Sequence, residues 1–114
     1  MQPFISVIIP VYNIEWYIGK CLDSVIGQTL KDIEIIVVND GSTDNSLDII
    51  TQYARKDSRI VIVDKPNEGL AYARKSGIEA AHGKYVQHLD GDDFLEPDAC
   101  ELLFKRAEET DADI

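Results

Sequence analysis

Ile33-Glu34-Ile35-Ile36-Val37-Val38 is an almost continuously apolar, β-branched run. A strand wetted on one face alternates apolar with polar residues, whereas a strand covered on both faces of a parallel sheet does not. The run therefore predicts a strand covered on both faces, as in a parallel sheet. Runs of similar character lie at Ile5 to Ile9, Ile60 to Val63 and Tyr85 to Leu89. Segments of helical period separate them. After Asn13, the residues Ile14, Tyr17, Ile18, Cys21, Leu22, Val25 and Ile26 share one stripe, opposite Glu15, Lys20, Asp23 and Ser24. A second helix is predicted over about Ser46 to Lys56, with Leu47, Ile50 and Ala54 inward and Asp44 as N-cap. A third spans about Gly69 to Ala81, with Leu70, Ala73, Gly77, Ile78 and Ala81 inward, and Gly83 suits a left-handed cap after it. A fourth opens at Pro97 and buries Ala99, Leu102, Leu103 and Ala107. The order β-α-β-α-β-α-β-α predicts an α/β fold with an open, mostly parallel sheet. Asp111-Ala112-Asp113-Ile114 reads as the approach to a further strand, so the chain is expected to be the front part of a longer protein.

Composition narrows the function classes. The 114 residues suit one small domain, and 45% apolar with 28% charged residues is a globular balance. A formal charge of −10 argues against binding to nucleic acid or anionic lipid, which needs a basic face. No apolar run reaches the roughly 20 residues of a spanning helix. Met1-Gln2-Pro3-Phe4 has no basic segment leading an apolar one, so no secretory signal is expected. Cys21 and Cys100 fit neither a metal motif nor a disulfide scaffold and read as buried, reduced thiols of a cytoplasmic protein.

Ligands of an open parallel sheet bind beyond the carboxyl ends of its strands. The four strands are followed by Pro10-Val11-Tyr12-Asn13, Asn39-Asp40-Gly41-Ser42-Thr43-Asp44, Asp64-Lys65-Pro66-Asn67-Glu68-Gly69 and Asp90-Gly91-Asp92-Asp93. The last is the most informative, because three clustered carboxylates repel one another unless a cation sits among them. Mg²⁺ and Mn²⁺ prefer oxygen ligands and commonly join one or two carboxylates to substrate phosphates. Residues two apart at a strand end face the same way, so Asp90 and Asp92 can address one ligand, and Gly91 leaves room for it. Taken alone, such a triplet is equally a solvated acidic turn with Asp93 capping a helix; its position after a buried strand favours a site. Asn39 to Asp44 are ordinary turn and cap residues, yet Asp40 stands at the strand end, where it can accept a proton from a base or sugar hydroxyl. Tyr12 is either a half-buried aromatic or a ring laid against a planar base. Trp16 reads as a packing or surface residue, His82 as a cap and His88 as a sheet-face side chain. No phosphate loop, G-x-G-x-x-G turn or G-x-S-x-G elbow is present, so diphosphate charge has to be met mainly by a metal.

Val7-Ile8-Ile9-Pro10-Val11-Tyr12-Asn13, Val37-Val38-Asn39-Asp40-Gly41-Ser42-Thr43-Asp44, Asn67-Glu68-Gly69, Ala73-Arg74, Gly77-Ile78, Gly83-Lys84-Tyr85-Val86 and Leu89-Asp90-Gly91-Asp92-Asp93 together resemble glycosyltransferase family 2. Each motif is weak alone; the ordered set is specific and covers nearly the whole chain. The resemblance implies a Rossmann-like sheet of GT-A type and an inverting transferase that uses nucleotide sugars. It implies that Pro10, Val11 and Tyr12 line the base pocket, that Asp40 hydrogen-bonds the base, usually uracil, and that Asp90 approaches the ribose and donor sugar. It implies Asp92 as ligand of Mn²⁺ or Mg²⁺, with Asp90 and Asp93 as its neighbours. Arg74 matches the family's Ala-Arg-Asn stretch, but Lys75 replaces the Asn. The general base of the family lies downstream of the acidic motif and is expected beyond residue 114, as are the acceptor-binding segments.

The implied enzyme is a hexosyltransferase of polysaccharide biosynthesis. Its donor is a nucleotide sugar, a UDP-sugar first, and its acceptor is a saccharide or lipid-linked hydroxyl. Residues 1–114 are then the nucleotide-sugar-binding part, cytoplasmic or peripheral at the inner face of the membrane. Two readings of other classes stand beside it: a nucleotide-binding or interaction module without turnover, and a metal-dependent phosphoryl-transfer or receiver-like domain. The latter places its essential carboxylate after the first strand, where this chain has Pro10-Val11-Tyr12.

Overall fold

The computed structural model describes residues 2–110, so the strand expected at residues 111–114 lies outside the described residues. Eight elements alternate: β1 (Ile5–Val11), α1 (Ile18–Ile26), β2 (Ile33–Asp40), α2 (Ser46–Lys56), β3 (Ile60–Lys65), α3 (Leu70–Ala80), β4 (Tyr85–His88) and α4 (Ala99–Thr110). The strands form one sheet in the order β3-β2-β1-β4, and every pairing is parallel. That order differs from the 2-1-3 arrangement of receiver-like domains.

The continuous apolar runs are explained by burial from two sides. Every residue of β1 is buried, as is every residue of β2 except Glu34. One face, including Ile5, Ile9, Ile35 and Val37, packs against buried residues of α1, α2 and α4. The other face carries Ile8, Ile36 and Val38 and meets Ala73 of α3. Small residues let α3 lie close to the sheet: a Cβ on Gly77 would stand 2.4 Å from Ile8 Cγ2.

Several local expectations are corrected. The helix expected from Ile14 begins at Ile18; residues 14–17 form a turn that follows Asn13, whose φ is +50°. Asp44 stands one position before the N-cap, Asn45, and accepts from the Ser46 amide at 2.9 Å. Leu70 and Ile78 are half exposed rather than inward, because the residues of α3 that it buries are Ala73 and Gly77, with Ala80 partly covered beside them. Leu102 is 56% exposed; the inward line of α4 runs through Cys100, Leu103, Phe104 and Ala107, a register one residue away from it. α4 begins at Ala99, two residues after Pro97. Gly83 is not left-handed; it is required because a Cβ there would come 2.5 Å from the Ser6 amide nitrogen. Both cysteines are buried and free.

Candidate functional site

The site begins where β1 and β4 part. Their pairing ends at Ile8↔His88, and the Leu89 amide makes the last bond, to the Ile8 carbonyl. In a parallel strand alternate residues address the same neighbour, so Pro10 faces the side that β4 has just left. A missing N–H costs nothing there, which is why proline is tolerated inside an inner strand. The chain after β4 crosses Pro10 at Gly91, where a Cβ would stand 3.1 Å from the Pro10 carbonyl oxygen and 2.2 Å from Ile14 Cδ1. This divergence opens a crevice at the carboxyl edge of the sheet.

Two adjoining cavities occupy it, about 200 and 220 Å³ in volume. Pro10, Tyr12 and Leu70 line both. Val11, Asp40, Asn67 and Gly69 belong to the first, and Asp90, Gly91 and Asp92 to the second. Tyr12, Asp40 and Asp92, far apart in sequence, therefore stand around a single opening. Tyr12 is 51% exposed, so its ring is free to receive a flat partner.

Asp40 is 4% exposed and heavily engaged. Oδ1 accepts from the Glu68 amide at 2.9 Å and Oδ2 from the Gly69 amide at 3.0 Å. Lys65 Nζ approaches Oδ1 at 3.5 Å, and the Asp40 carbonyl accepts from Asn67 Nδ2 at 3.0 Å. The carboxylate thus holds the segment that leads into α3, where the helix dipole favours a negative charge. Of about four acceptor positions on a carboxylate, one on Oδ2 is left for a ligand. Gly41 makes the approach of this segment possible: its φ is +68°, and a Cβ there would lie 2.5 Å from the Asn67 nitrogen.

Tyr12 is held through its neighbour. Asn13 Oδ1 accepts from the Thr43 amide at 2.8 Å, while the Asn13, Ile14 and Glu15 amides donate to Ser42, Ser46 and Asp44 side chains. The loops after β1 and β2 are laced together, and asparagine suits the left-handed backbone there. Burial alone would push the Asp44 carboxyl up, but hydrogen bonds from Ser46 and from the Glu15 amide outweigh it and hold that group below its ordinary value.

Asp90, Asp92 and Asp93 are exposed, and one oxygen from each lies within 4.8 Å of the others. A turn closed by the Asp93 amide on the Asp90 carbonyl at 2.9 Å gathers them. Arg74 Nη2 donates to Asp90 Oδ1 at 3.1 Å, leaving Asp92 and Asp93 without a salt-bridge partner among the described residues. Burial, and then the negative charges of Asp93, Asp92 and Asp90, push the nearby Cys21 thiol up to about 12. An all-oxygen donor set of this kind fits a hard divalent cation. Asp93 belongs to the cluster but not to the cavity lining.

The remaining candidates lie apart. Trp16 is 86% exposed and lines neither cavity. His82 bonds Glu34 through its amide at 2.8 Å and Nδ1 at 3.0 Å, toward the amino ends of the strands. His88 is exposed at the end of β4. Sequence reasoning missed Leu70, read as core although it lines both cavities. Its only signal was its place at the first position of a helix facing the carboxyl edge.

The chain matches the family model "Glycosyl transferase family 2" over residues 6–114. It is 50% identical over 110 residues to "Glycosyltransferase GlyA" of Streptococcus pneumoniae serotype 4 (strain ATCC BAA-334 / TIGR4), a match covering 96% of this chain and 16% of that protein. The structure of S. aureus TarS 1-349 in complex with UDP-GlcNAc superposes with a TM-score of 0.86 at 30% identity, covering 93% of this chain and 31% of that one. Mannosyltransferase PcManGT from Pyrobaculum calidifontis, in complex with GDP-Man and Mn²⁺, gives a TM-score of 0.78 at 26% identity, covering 91% of this chain and 31% of that one. The chain thus spans a third or less of the length of each, and its sheet is of the expected GT-A type. Ordered motifs, strand order and these likenesses agree: the chain belongs to glycosyl transferase family 2.

Proposed function

We propose that residues 1–114 are the nucleotide-sugar-binding part of an inverting glycosyltransferase that moves a sugar from a nucleoside diphosphate, UDP first, to an acceptor hydroxyl. One observation carries this reading: a cavity bounded by Tyr12 and Asp40 adjoins one bounded by Asp90 and Asp92, with Pro10, Tyr12 and Leu70 common to both. A nucleoside diphosphate sugar has the matching succession of planar base, ribose and charged diphosphate. UDP is favoured because the TarS structure with UDP-GlcNAc is the more similar of the two complexes, by identity and by TM-score.

Tyr12 offers its ring face to the base, while Val11 and Pro10 exclude water beneath it. Asp40 presents its remaining acceptor position to a base N–H and keeps the Asn67–Gly69 wall of the cavity in place. Asp92 holds the divalent ion, Mn²⁺ or Mg²⁺, with Asp90 and Asp93 beside it. Bound there, the ion supplies positive charge to the diphosphate leaving group. Arg74 orients Asp90 and offsets part of the cluster's charge. The general base and the saccharide or lipid-linked acceptor belong to the rest of the protein.

No helix among the described residues is long and apolar enough to cross a membrane. The two free, buried thiols support a reducing, cytoplasmic setting, either in solution or at the inner face of the membrane.

A thermal-shift screen of UDP-, GDP- and dTDP-sugars on the intact protein, with and without Mn²⁺, tests the reading. A ligand that binds only the native form at 100 times its Kd stabilises it by about 2.7 kcal/mol. A UDP-sugar should raise Tm, and Mn²⁺ should enlarge the rise. A flat response to all three donors in the presence of Mn²⁺ would refute the proposal, and binding without sugar transfer would favour the module without turnover.

A further inference from the structure

The acidic turn Asp90–Asp93 sits in a stretch from Leu89 to Asp98 that contains neither helix nor strand. Such a stretch has no ladder to fix it, so its polar backbone groups must find other partners. They find them on α1 and the residues just past its end. At the first residue of the acidic turn, Cys21 Sγ donates to the Asp90 carbonyl at 3.9 Å. Downstream, the Leu95 amide donates to Ser24 Oγ at 3.0 Å, and that hydroxyl donates in turn to the Cys21 carbonyl at 2.6 Å. Gln28 Nε2 donates to the Glu96 carbonyl at 2.7 Å and to the Ser24 carbonyl at 3.0 Å. Gln28 Oε1 accepts from the Cys100 amide at 2.9 Å. The Thr29 amide closes the series on the Pro97 carbonyl at 2.8 Å.

Gln28 is completely buried, and both its amide nitrogen and its oxygen are committed. A buried polar side chain at full satisfaction defines one arrangement of its surroundings, since any other leaves groups unpaired in a dry interior. Neither Gln28 nor Ser24 lines either of the two cavities described above. What they fix is the strand-free stretch that carries the carboxylates.

We infer that Gln28 and Ser24 are positioning residues for the metal-binding carboxylates, setting the separation of Asp90, Asp92 and Asp93 from beneath. The inference rests on the metal role proposed above for Asp92. Removing either anchor loosens the turn at its downstream end and weakens ion binding without touching the base cavity.

The test uses the intact protein. Gln28→Leu removes one of the two bonds to the Glu96 carbonyl, which keeps the Ala99 amide at 3.1 Å, and deprives the Cys100 amide of its partner; Ser24→Ala releases the Leu95 amide, and Ser24→Thr keeps the hydroxyl. Mn²⁺ alone is titrated by electron paramagnetic resonance, uridine by calorimetry, and amide exchange is followed over residues 93–100. The expected result for Gln28→Leu is Mn²⁺ affinity lowered about tenfold, the lower end of what outer partners of metal ligands contribute. Uridine affinity should stay constant and exchange at Leu95 and Cys100 should quicken. Ser24→Ala should move the same readouts in the same direction and Ser24→Thr should restore them, which keeps the test intact if Gln28→Leu does not fold. Folded Gln28→Leu and Ser24→Ala proteins with wild-type Mn²⁺ affinity would overturn the inference. Wild-type protein that binds no Mn²⁺, or an Asp92→Asn protein that binds it undiminished, would instead overturn the metal reading, and this inference with it.

Discussion

Asp40→Asn tests how the wall of the cavity beside Tyr12 is built. The native carboxylate accepts the Glu68 and Gly69 amides, one on each oxygen, in a position only 4% exposed. Asparagine offers one oxygen, so its NH₂ group must confront one of the two amides. The change removes one charge-assisted bond, worth about 1.5–3 kcal/mol, and leaves a partly buried N–H facing a donor, at a further 1–3 kcal/mol or so. Water reaches Glu68 and Gly69, which are exposed, and offsets much of the second loss. A net destabilisation of about 2–3 kcal/mol is expected on these bond values. Urea denaturation of wild type and variant measures it as a lower midpoint at unchanged slope. Because Asn67 and Gly69 line the same cavity, UDP affinity by calorimetry should fall as well. A variant with wild-type midpoint and wild-type UDP affinity would refute the reasoning that Asp40 holds this segment.

Gly77→Ala should cost about 1–3 kcal/mol, the range for overpacking a filled core, because its Cβ would meet Ile8 Cγ2 at 2.4 Å; a neutral effect in denaturation would mean that α3 can shift away from the sheet. Glu34→Gln should flatten the acid limb of the stability profile. Burial tends to raise the Glu34 carboxyl, but bonds from the His82 amide, Ser6 and the His82 ring hold it below the ordinary 4.5. The folded value is the lower one, so this stabilisation is complete above pH 4.5 and disappears as pH falls through the folded value. Wild type and variant losing stability in parallel below pH 5 would show that Glu34 carries none of it.

The sheet was legible in the sequence because its signal is redundant. Four apolar runs and three intervening helical periods point to one topology, and Ile33 to Val38 alone declares burial on both faces. The gathering of Tyr12, Asp40, Asp90 and Asp92 at one edge followed from that topology. What the sequence hid depends on how tightly elements approach. Leu70 and Ile78 look inward on a helical wheel, but glycine and alanine bring α3 so close that only a narrow line is covered. Leu102 was misplaced by a register of one residue: the covered line of α4 passes through Cys100, Leu103, Phe104 and Ala107. The commitment of Asp40 to the Glu68 and Gly69 amides was invisible, as backbone amides carry no sequence signal. Gln28 was passed over for a similar reason: it lies just past the end of α1, outside any periodic pattern, and its partners are mainly backbone groups.

The most direct measurement is calorimetric titration of UDP into the intact wild-type, Tyr12→Ala and Asp92→Ala proteins, each with Mn²⁺ and each with EDTA. If one crevice holds base and diphosphate together, Tyr12→Ala weakens binding by the same factor in both buffers, and Asp92→Ala binds in Mn²⁺ only as tightly as wild type does in EDTA. Retention of the full Mn²⁺ enhancement by Asp92→Ala, together with undiminished UDP affinity in Tyr12→Ala, would contradict the account.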